Sequence, residues 1–267
     1  MSGELSRWLE ILFLGAVEGI TEFLPVSSTG HLIVAARLLG RDGDADKLFE
    51  VVIQLGAVCA VCWQYRERLW TMARDLRGEK TRRMILNLSL AFLPAAICGL
   101  LFYSVIKEYL FSPPTVAAAL IVGGAAIIFI ERKKRAPRIS DIDELRARDA
   151  LVIGCCQTLA LFPGVSRAGA TILGAMLWGV ERRAATEFSF LLALPTMFAA
   201  GAYDLFQNAD LMNWNLAGEI AAGFVASFAA ALLVIRMLIK YVSRHDFTPF
   251  GWYRIAFGIV VLAAFWN

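Results

Sequence analysis

The chain has 267 residues, of which 58% are apolar, a mean hydropathy of +0.62 and a formal net charge of +3. This composition excludes an ordinary soluble domain and indicates an integral membrane protein. The basic residues alternate with apolar segments, which argues against a nucleic-acid-binding surface. The five cysteines lie in apolar segments without a second cysteine pair or a histidine at metal-site spacing, so we interpret them as packing residues.

The first predicted element is a broken apolar segment that includes residues 18–31, Glu-Gly-Ile-Thr-Glu-Phe-Leu-Pro-Val-Ser-Ser-Thr-Gly-His. The residue before Pro25 is biased away from helical backbone, and the apolar stretch on either side, about a dozen residues, is too short to cross a membrane. A re-entrant hairpin of two short helices therefore fits better than two spans. Carboxylates, hydroxyls and a histidine are costly to bury in hydrocarbon, so their concentration here predicts a functional site.

Six later segments are long and apolar enough to cross a hydrocarbon core of about 30 Å. They cover approximately residues 48–65, 87–106, 114–130, 187–204, 216–239 and 249–266. Basic residues are concentrated in three of the connecting loops, at 66–83, 132–148 and 236–244. The positive-inside rule places these three loops in the cytoplasm.

A second broken segment lies between the third and fourth spans and contains the sequence Pro-Gly-Val-Ser-Arg-Ala-Gly-Ala-Thr at residues 163–171. It offers an arginine, Arg167, together with small residues and two hydroxyls at a predicted helix N-terminus. Free backbone N–H groups, the positive end of a helix dipole and a guanidinium all favour phosphate oxygens. This segment therefore predicts an anion-binding site.

The chain also repeats itself. Shifting it by 139 residues without a gap aligns the two broken segments and places Ser27 on Ser166. We interpret this as an internal duplication, with repeats at about 1–133 and 140–267 inside a single polytopic domain. If both hairpins return to their own side, the first enters from outside and the second from the cytoplasm, which predicts an inverted-topology repeat. The predicted fold is an all-α integral membrane protein with six transmembrane helices plus two re-entrant helical hairpins.

Facing each other, the hairpins would supply the groups for phosphoryl transfer. Glu18 and Glu22 are four residues apart on one helical face, where they can hold a metal or move protons. A hydroxyl activated by His31 could attack phosphorus while Arg167 binds the phosphate oxygens. These groups predict hydrolysis of a phosphate ester or anhydride within the membrane.

The alternative function is a transporter or flippase of an anionic, phosphorylated lipid or small molecule, because broken helices in inverted repeats are typical of transporters. The asymmetry between the two copies argues against it. Three reactive residues of the first hairpin, Glu18, Glu22 and His31, align with Gln157, Leu161 and Ala170 in the second. A transport site does not require a base and paired carboxylates in one hairpin.

The two motifs, residues 18–31 and 163–171, resemble the signature motifs of the bacterial undecaprenyl-diphosphate phosphatase family, known for bacitracin resistance, and the resemblance covers essentially the whole chain. It implies hydrolysis of undecaprenyl diphosphate to the monophosphate carrier lipid that cell-wall polymer synthesis reuses. It also implies a divalent cation, Mg²⁺ or Ca²⁺, and a place in the bacterial inner membrane with the active site open to the periplasmic side. The expected partners are a prenyl diphosphate lipid and membrane lipids, with no nucleic acid; whether the chain forms a homo-oligomer is open.

On the matching positions, the resemblance implies roles for individual residues. Glu18 and Glu22 would bind the metal or act as acid and base. Ser28 would be the favoured nucleophile with His31 as its base, although Ser27 or His31 itself could attack. Arg167 would clamp the phosphate. The other positions expected to bind phosphate are Ser27, Thr29, Ser166, Gly169 and Thr171.

The chain departs from the family pattern at Ala168, where the family usually has a serine, and we expect activity to survive this loss of a hydroxyl. Three more polar residues, Glu50, Gln54 and Glu187, either line the cavity or are structural. Arg254, inside the last span, needs a partner, and a structural ion pair is the favoured interpretation.

Overall fold

The computed structural model describes residues 2–41, 43–109, 112–133, 136–211 and 214–265. Lys134 and Arg135, from the second predicted basic loop, lie outside them, as does residue 266 at the end of the last predicted span. Within the described residues the regular structure is helical, and the extended pairing is limited to an isolated bridge between Ile139 and Val180. The predicted all-α class is confirmed.

The helices follow the predicted order. The first half contains α1 (Ser2–Thr21), α2 (Ser28–Leu38), α3 (Asp44–Gln64), α4 (Arg66–Arg74), α5 (Glu79–Tyr109) and α6 (Pro113–Arg132). The second half contains α7 (Ala147–Gln157), α8 (Arg167–Trp178), α9 (Arg182–Gln207), α10 (Trp214–Val242) and α11 (Thr248–Phe265). Three short 3₁₀ helices lie at Ile142–Glu144, Thr158–Leu161 and Ala209–Leu211.

Five of the described helices, α5, α6, α9, α10 and α11, are long and apolar enough to cross a membrane. They coincide with five of the six predicted spans, and the protein is therefore a multi-pass membrane protein. The remaining prediction, 48–65, falls on α3, which begins earlier, at Asp44, and carries charged residues in its first two turns. α3 is not among the five helices that length and composition identify as spans.

Both predicted breaks are present. The turn between α1 and α2 contains Pro25, and the turn between Thr158–Leu161 and α8 contains Pro163. The 11 residues of α2 and the 12 of α8 would extend only about 16 to 18 Å, too little to cross a bilayer. The first limb differs from the prediction, because α1 has 20 residues rather than about a dozen.

Glycines allow the first hairpin to lie very close to α10. A Cβ added at Gly15 would lie 2.4 Å from the Gly223 carbonyl oxygen, and one at Gly19 would lie 2.3 Å from the Ser227 oxygen. Such backbone-to-backbone approach is how helices pack tightly inside membranes, where lipid offers no hydrophobic drive for association. The second hairpin packs equivalently, because α7 contacts α5 as α1 contacts α10. Helices α6 and α11 pack on each other.

Candidate active site

The turns of the two hairpins have the same backbone geometry. Ser27 and Ser166 are the non-glycine residues with positive φ in the described part of the chain, both at 71°. Each is the N-cap of the helix that follows, and its Oγ accepts from the N–H of Gly30 at 3.4 Å or of Gly169 at 3.1 Å. A positive φ is strained for serine, and such strain is concentrated at functional sites.

Arg254 joins these turns to each other. Its side chain is 1% exposed and donates only to backbone carbonyls in the described structure. The acceptors are Pro25 at 3.1 Å, Gly164 at 2.9 Å, Val165 at 3.0 Å, Ala119 at 3.1 Å and Leu120 at 3.4 Å. The expected ion pair is therefore wrong. The non-helical turns leave backbone carbonyls without helical partners in an apolar environment, and the guanidinium, with five N–H donors, satisfies them and binds two carbonyls of α6 as well.

Glu22 is the centre of the site. Its Oε2 accepts a 2.5 Å hydrogen bond from the Ser28 hydroxyl, and its Oε1 accepts from Arg167 Nη2 at 3.0 Å. Glu22 and Ser28 belong to the first hairpin and Arg167 to the second. The predicted contact between the hairpins is confirmed, and it places a hydroxyl, a carboxylate and a guanidinium in one hydrogen-bonded chain.

Arg167 is held on its other side by α9. Its Nη1 donates to the Ser189 backbone oxygen at 2.9 Å, and its guanidinium lies over the Phe23 ring, 5.5 Å from the centroid. The Nε–H is buried and has no hydrogen-bond partner in the described structure. A planar guanidinium fixed on two edges, with one donor still unused, is suited to a phosphate oxygen.

Glu18 is fully buried, and neither carboxylate oxygen has a hydrogen-bond partner among the described residues. It lies four residues, about one helical turn, before Glu22. A buried, unpartnered carboxylate is costly unless a cation or proton compensates it. The described chain has no cluster of three or more His, Cys, Asp or Glu side chains that could hold a metal by itself. Two carboxylates fit Mg²⁺ when substrate phosphates complete its coordination.

His31 has no hydrogen bond to Ser28 in the described structure, although the resemblance implies that it is the base for that hydroxyl. Its Nδ1 lies 2.8 Å from the Ser27 carbonyl oxygen and its Nε2 lies 2.6 Å from the Tyr253 hydroxyl. Both ring nitrogens are therefore occupied, and the imidazole stacks on Phe257 with ring centroids 4.2 Å apart. The four-residue spacing on α2 directs the ring back to Ser27 rather than across to Ser28.

The other residues expected to bind phosphate occupy two kinds of position. Thr29 is half-buried in the first turn of α2, and Gly169 is buried in the first turn of α8, next to the Ser166 cap. Thr171 instead faces the protein interior, where its hydroxyl lies 2.5 Å from Ser189 Oγ. Thr171 therefore contacts Ser189, whose backbone oxygen binds Arg167, and its hydroxyl is not placed to contact phosphate directly.

Ala168, the departure from the family pattern, is fully buried in the hydrophobic core. The hydroxyl of a serine at this position would therefore be buried among apolar side chains rather than exposed on the turn.

Glu187 does not line this site. It pairs with Arg183 at 2.8 Å and borders a surface cavity of about 410 Å³ together with Asp141 and Ser243. The α9 residue that reaches the site is Ser189, two positions further on. Glu50 and Gln54 are half-buried in α3.

Three residues at the site are absent from the predicted set of functional residues: Ser189, Tyr253 and the carbonyl-binding Arg254. Ser189 and Tyr253 carry no local signal because each acts through a residue distant in sequence. Arg254 did carry a signal, since an arginine within a span requires acceptors, but the sequence did not identify them.

Comparison with known proteins agrees with this geometry. A family model described as bacitracin resistance protein BacA matches residues 11–260. The chain belongs to the BacA family. The matched residues include both turns and all the site residues described above.

Several curated relatives align over nearly the full chain. "Undecaprenyl-diphosphatase" of Nitrosomonas europaea is 52% identical over 254 residues, 95% of this chain and 93% of the relative. "Undecaprenyl-diphosphatase 2" of Rhodospirillum rubrum is 52% identical over 266 residues, 99% of this chain and 97% of the relative. "Undecaprenyl-diphosphatase" of Dechloromonas aromatica is 53% identical over 256 residues, 96% of this chain and 93% of the relative.

Proposed function

We propose that this BacA-family protein hydrolyses undecaprenyl diphosphate to undecaprenyl phosphate and inorganic phosphate, and so returns the carrier lipid to cell-wall polymer synthesis. The names of its relatives give the substrate. The observation that carries the proposal is the chain of hydrogen bonds from Ser28 through Glu22 to Arg167, which joins the two hairpins.

Ser28 is the nucleophile. Its hydroxyl already donates to Glu22, so the carboxylate accepts the proton as the Ser28 oxygen attacks the terminal phosphorus. The bond between that phosphorus and the bridging oxygen breaks, and undecaprenyl phosphate leaves. Water then attacks the phosphoserine, the bond between phosphorus and the Ser28 oxygen breaks, and Glu22 returns its proton to that oxygen while inorganic phosphate, which keeps the protons of the water, is released. Ser27 and His31 are less suited to attack, because the Ser27 hydroxyl caps α2 and both His31 nitrogens are hydrogen-bonded.

Arg167 orients Glu22 before the reaction and stabilises the charge on the transferring phosphoryl group during it. Its unused Nε–H and the free N–H groups at the start of α2 and α8 provide donors that need no rearrangement. Arg254 adds a second buried positive charge directly behind both turns. A diphosphate therefore meets preorganised donors from both repeats.

A divalent cation, Mg²⁺ or Ca²⁺, would be held by Glu18 and Glu22, and when bound it would neutralise phosphate oxygens. The buried and unpartnered carboxylate of Glu18 supports this assignment.

We propose that α3 is the sixth span and that both hairpins are re-entrant, within repeats at about 1–133 and 140–267. The packing supports this, because α1 on α10 and α7 on α5 are equivalent pairs under the repeat, and the equivalent helices α6 and α11 contact each other. The matching φ of Ser27 and Ser166 is a second support. In this arrangement the three basic loops face the cytoplasm of a bacterial inner membrane and the site opens to the periplasm.

The test is phosphate release from a C15 or C55 prenyl diphosphate by purified protein in detergent. We expect release by the unmodified protein, loss on adding a chelator, and recovery with Mg²⁺ or Ca²⁺. Arg167→Ala should reduce the rate by at least about 100-fold, since it removes a preorganised donor to the transferring group. Arg183→Ala is the matched control, because Arg183 is an exposed residue paired only with Glu187.

Two outcomes would contradict the proposal. Equal rates of phosphate release for the unmodified protein and Arg167→Ala would show that the second hairpin does not take part in the reaction. A folded protein that binds the prenyl diphosphate without releasing phosphate would favour the transporter or flippase.

A further inference from the structure

The Ser27 carbonyl is held differently from its counterpart in the second hairpin. In α8, the Ser166 carbonyl accepts an ordinary helical hydrogen bond from the Ala170 N–H at 2.9 Å. In α2, the corresponding bond from the His31 N–H to Ser27 is stretched to 3.4 Å. The His31 ring adds a second and shorter contact, with Nδ1 only 2.8 Å from the same oxygen.

The chemistry of this contact fixes the tautomer of His31. A carbonyl oxygen can only accept, so Nδ1 must carry the hydrogen. In the neutral imidazole Nε2 is then an acceptor, and the Tyr253 hydroxyl, 2.6 Å away, is its donor. By donating to Nε2, the Tyr253 hydroxyl therefore stabilises the tautomer with its hydrogen on Nδ1, which is the one that can donate to the Ser27 carbonyl.

Adjacent residues of α11 thus hold the first turn at two points. Arg254 donates to the Pro25 carbonyl, and Tyr253 acts through His31 on the Ser27 carbonyl. Phe257, one turn further along α11, packs its ring against His31. The second turn has the Arg254 contacts but has Ala170 in place of the histidine.

The turn with the additional clamp is the one that presents the reactive hydroxyl. Ser28 directly follows Ser27, whose φ of 71° is strained for a serine. A small rotation at Ser27 would move the Ser28 hydroxyl out of its 2.5 Å contact with Glu22. An element that fixes Ser27 therefore also fixes the direction of attack.

We propose that Tyr253 is a positioning residue for the phosphatase reaction, which acts through His31 to hold Ser27 and thereby keeps Ser28 aligned with Glu22. This inference rests on the proposed function. It makes His31 a structural intermediate between α11 and the turn, rather than the base that deprotonates Ser28.

The first test is Tyr253→Phe, which removes the hydroxyl and keeps the ring. We expect kcat to fall about threefold to tenfold, the effect of losing one neutral hydrogen bond, with KM changed less than twofold. Tyr65→Phe is the matched control, because the Tyr65 hydroxyl is buried without a hydrogen-bond partner in the described structure. It should keep the kcat of the unmodified protein.

The second test separates positioning from proton transfer. His31→Asn retains a side-chain N–H near the position of Nδ1 but has no imidazole to titrate. We expect it to retain at least about tenfold more activity than His31→Ala, with the pH dependence of kcat unchanged in shape.

Either of two results would overturn the proposal. One is a Tyr253→Phe protein with the kcat of the Tyr65→Phe control. The other is His31→Asn as inactive as His31→Ala, with one limb of the pH profile lost, which would make His31 a proton-transfer group. Absence of phosphate release by the unmodified protein would instead refute the proposed function, so the two failures are distinguishable.

Discussion

Glu18 is buried in α1 with neither carboxylate oxygen hydrogen-bonded within the described structure. Its counterpart under the repeat is Gln157, which is also buried and donates to the Ala91 carbonyl at 3.4 Å. The fold therefore accepts a neutral amide at this position in one copy and has a carboxylate in the other. The difference in charge has a functional rather than a structural explanation, because an unpaired buried charge costs stability.

We predict that Glu18→Gln separates stability from activity. The melting temperature should stay the same or rise, since a buried charge is removed. The rate of phosphate release should fall at least about 100-fold, and the response to added Mg²⁺ should weaken with it. Thermal unfolding in detergent and a Mg²⁺ titration of the rate provide the two measurements. A variant that melts at a lower temperature but releases phosphate normally would show that Glu18 is structural.

Arg167 illustrates the importance of side-chain shape. It contacts Glu22 and Ser189 through separate nitrogens, which a lysine ammonium cannot reproduce at the same positions. We predict that Arg167→Lys lowers kcat/KM about 10- to 100-fold, as expected for the loss of a charge-assisted hydrogen bond. Arg183→Lys is the control, because Arg183 also belongs to the second half of the chain but is exposed. Its kcat/KM should equal that of the unmodified protein. If Arg167→Lys matched the unmodified protein, charge alone would account for its role.

At the scale of helices, α11 is the element that holds the site together. The two turns are non-helical, and their carbonyls would be unsatisfied in an apolar environment without Arg254. Its donors reach carbonyls of both turns and of α6. The position of one arginine therefore fixes how the two halves of the site face each other.

Replacing Arg254 should affect stability and activity together. Arg254→Lys has three donors for five acceptors, so at least two buried carbonyls lose a partner. We predict a loss of about 2 to 4 kcal/mol in unfolding free energy, and a lower rate of phosphate release. The melting temperature in detergent measures the first effect. Arg236→Lys, on an exposed part of α10, is the control, and an equally small change in both variants would contradict the role of Arg254 as a clamp.

The contact between α1 and α10 is a second helix-scale feature that controls the site, because Glu18 lies beside the close approach at Gly19. We predict that Gly19→Ala costs about 1 to 3 kcal/mol, since its Cβ would lie 2.3 Å from the Ser227 oxygen. Gly218→Ala tests the same helix pair, but its Cβ would meet Trp8 at an ordinary 3.8 Å. Similar melting temperatures for the two variants would contradict this tight packing.

At the scale of the whole molecule, the sequence was most informative where structure depends on neighbouring residues. Pro25 and Pro163 identified both turns, because proline restricts its own backbone and that of the residue before it. The alignment of Ser27 with Ser166 identified equivalent positions in the two turns. The prediction that the two hairpins face each other is also confirmed, by the contact between Glu22 and Arg167.

The parts that were not predicted depend on contacts between distant segments. The resemblance implied that His31 is the base for Ser28, but its Nε2 is hydrogen-bonded to Tyr253, 222 residues away, a contact that the sequence could not show. For Arg254 an ion pair was the favoured interpretation. Its acceptors are backbone carbonyls, which every residue has, so the sequence could not identify them. The sequence left open whether Glu187 lines the cavity, because it could not show that Ser189 is the α9 residue that contacts Arg167.

The central claim is that the two repeats build one phosphatase site in which Ser28 attacks and Glu22 accepts its proton. The most direct measurement is the rate of phosphate release from a prenyl diphosphate by Ser28→Ala and Ser27→Ala, with Ser243→Ala as a control outside the site. We predict that Ser28→Ala falls by at least about 1,000-fold, as for loss of a nucleophile, while Ser27→Ala keeps measurable activity because it loses only a cap. A Ser28→Ala protein that retains a tenth or more of the normal rate would contradict the account.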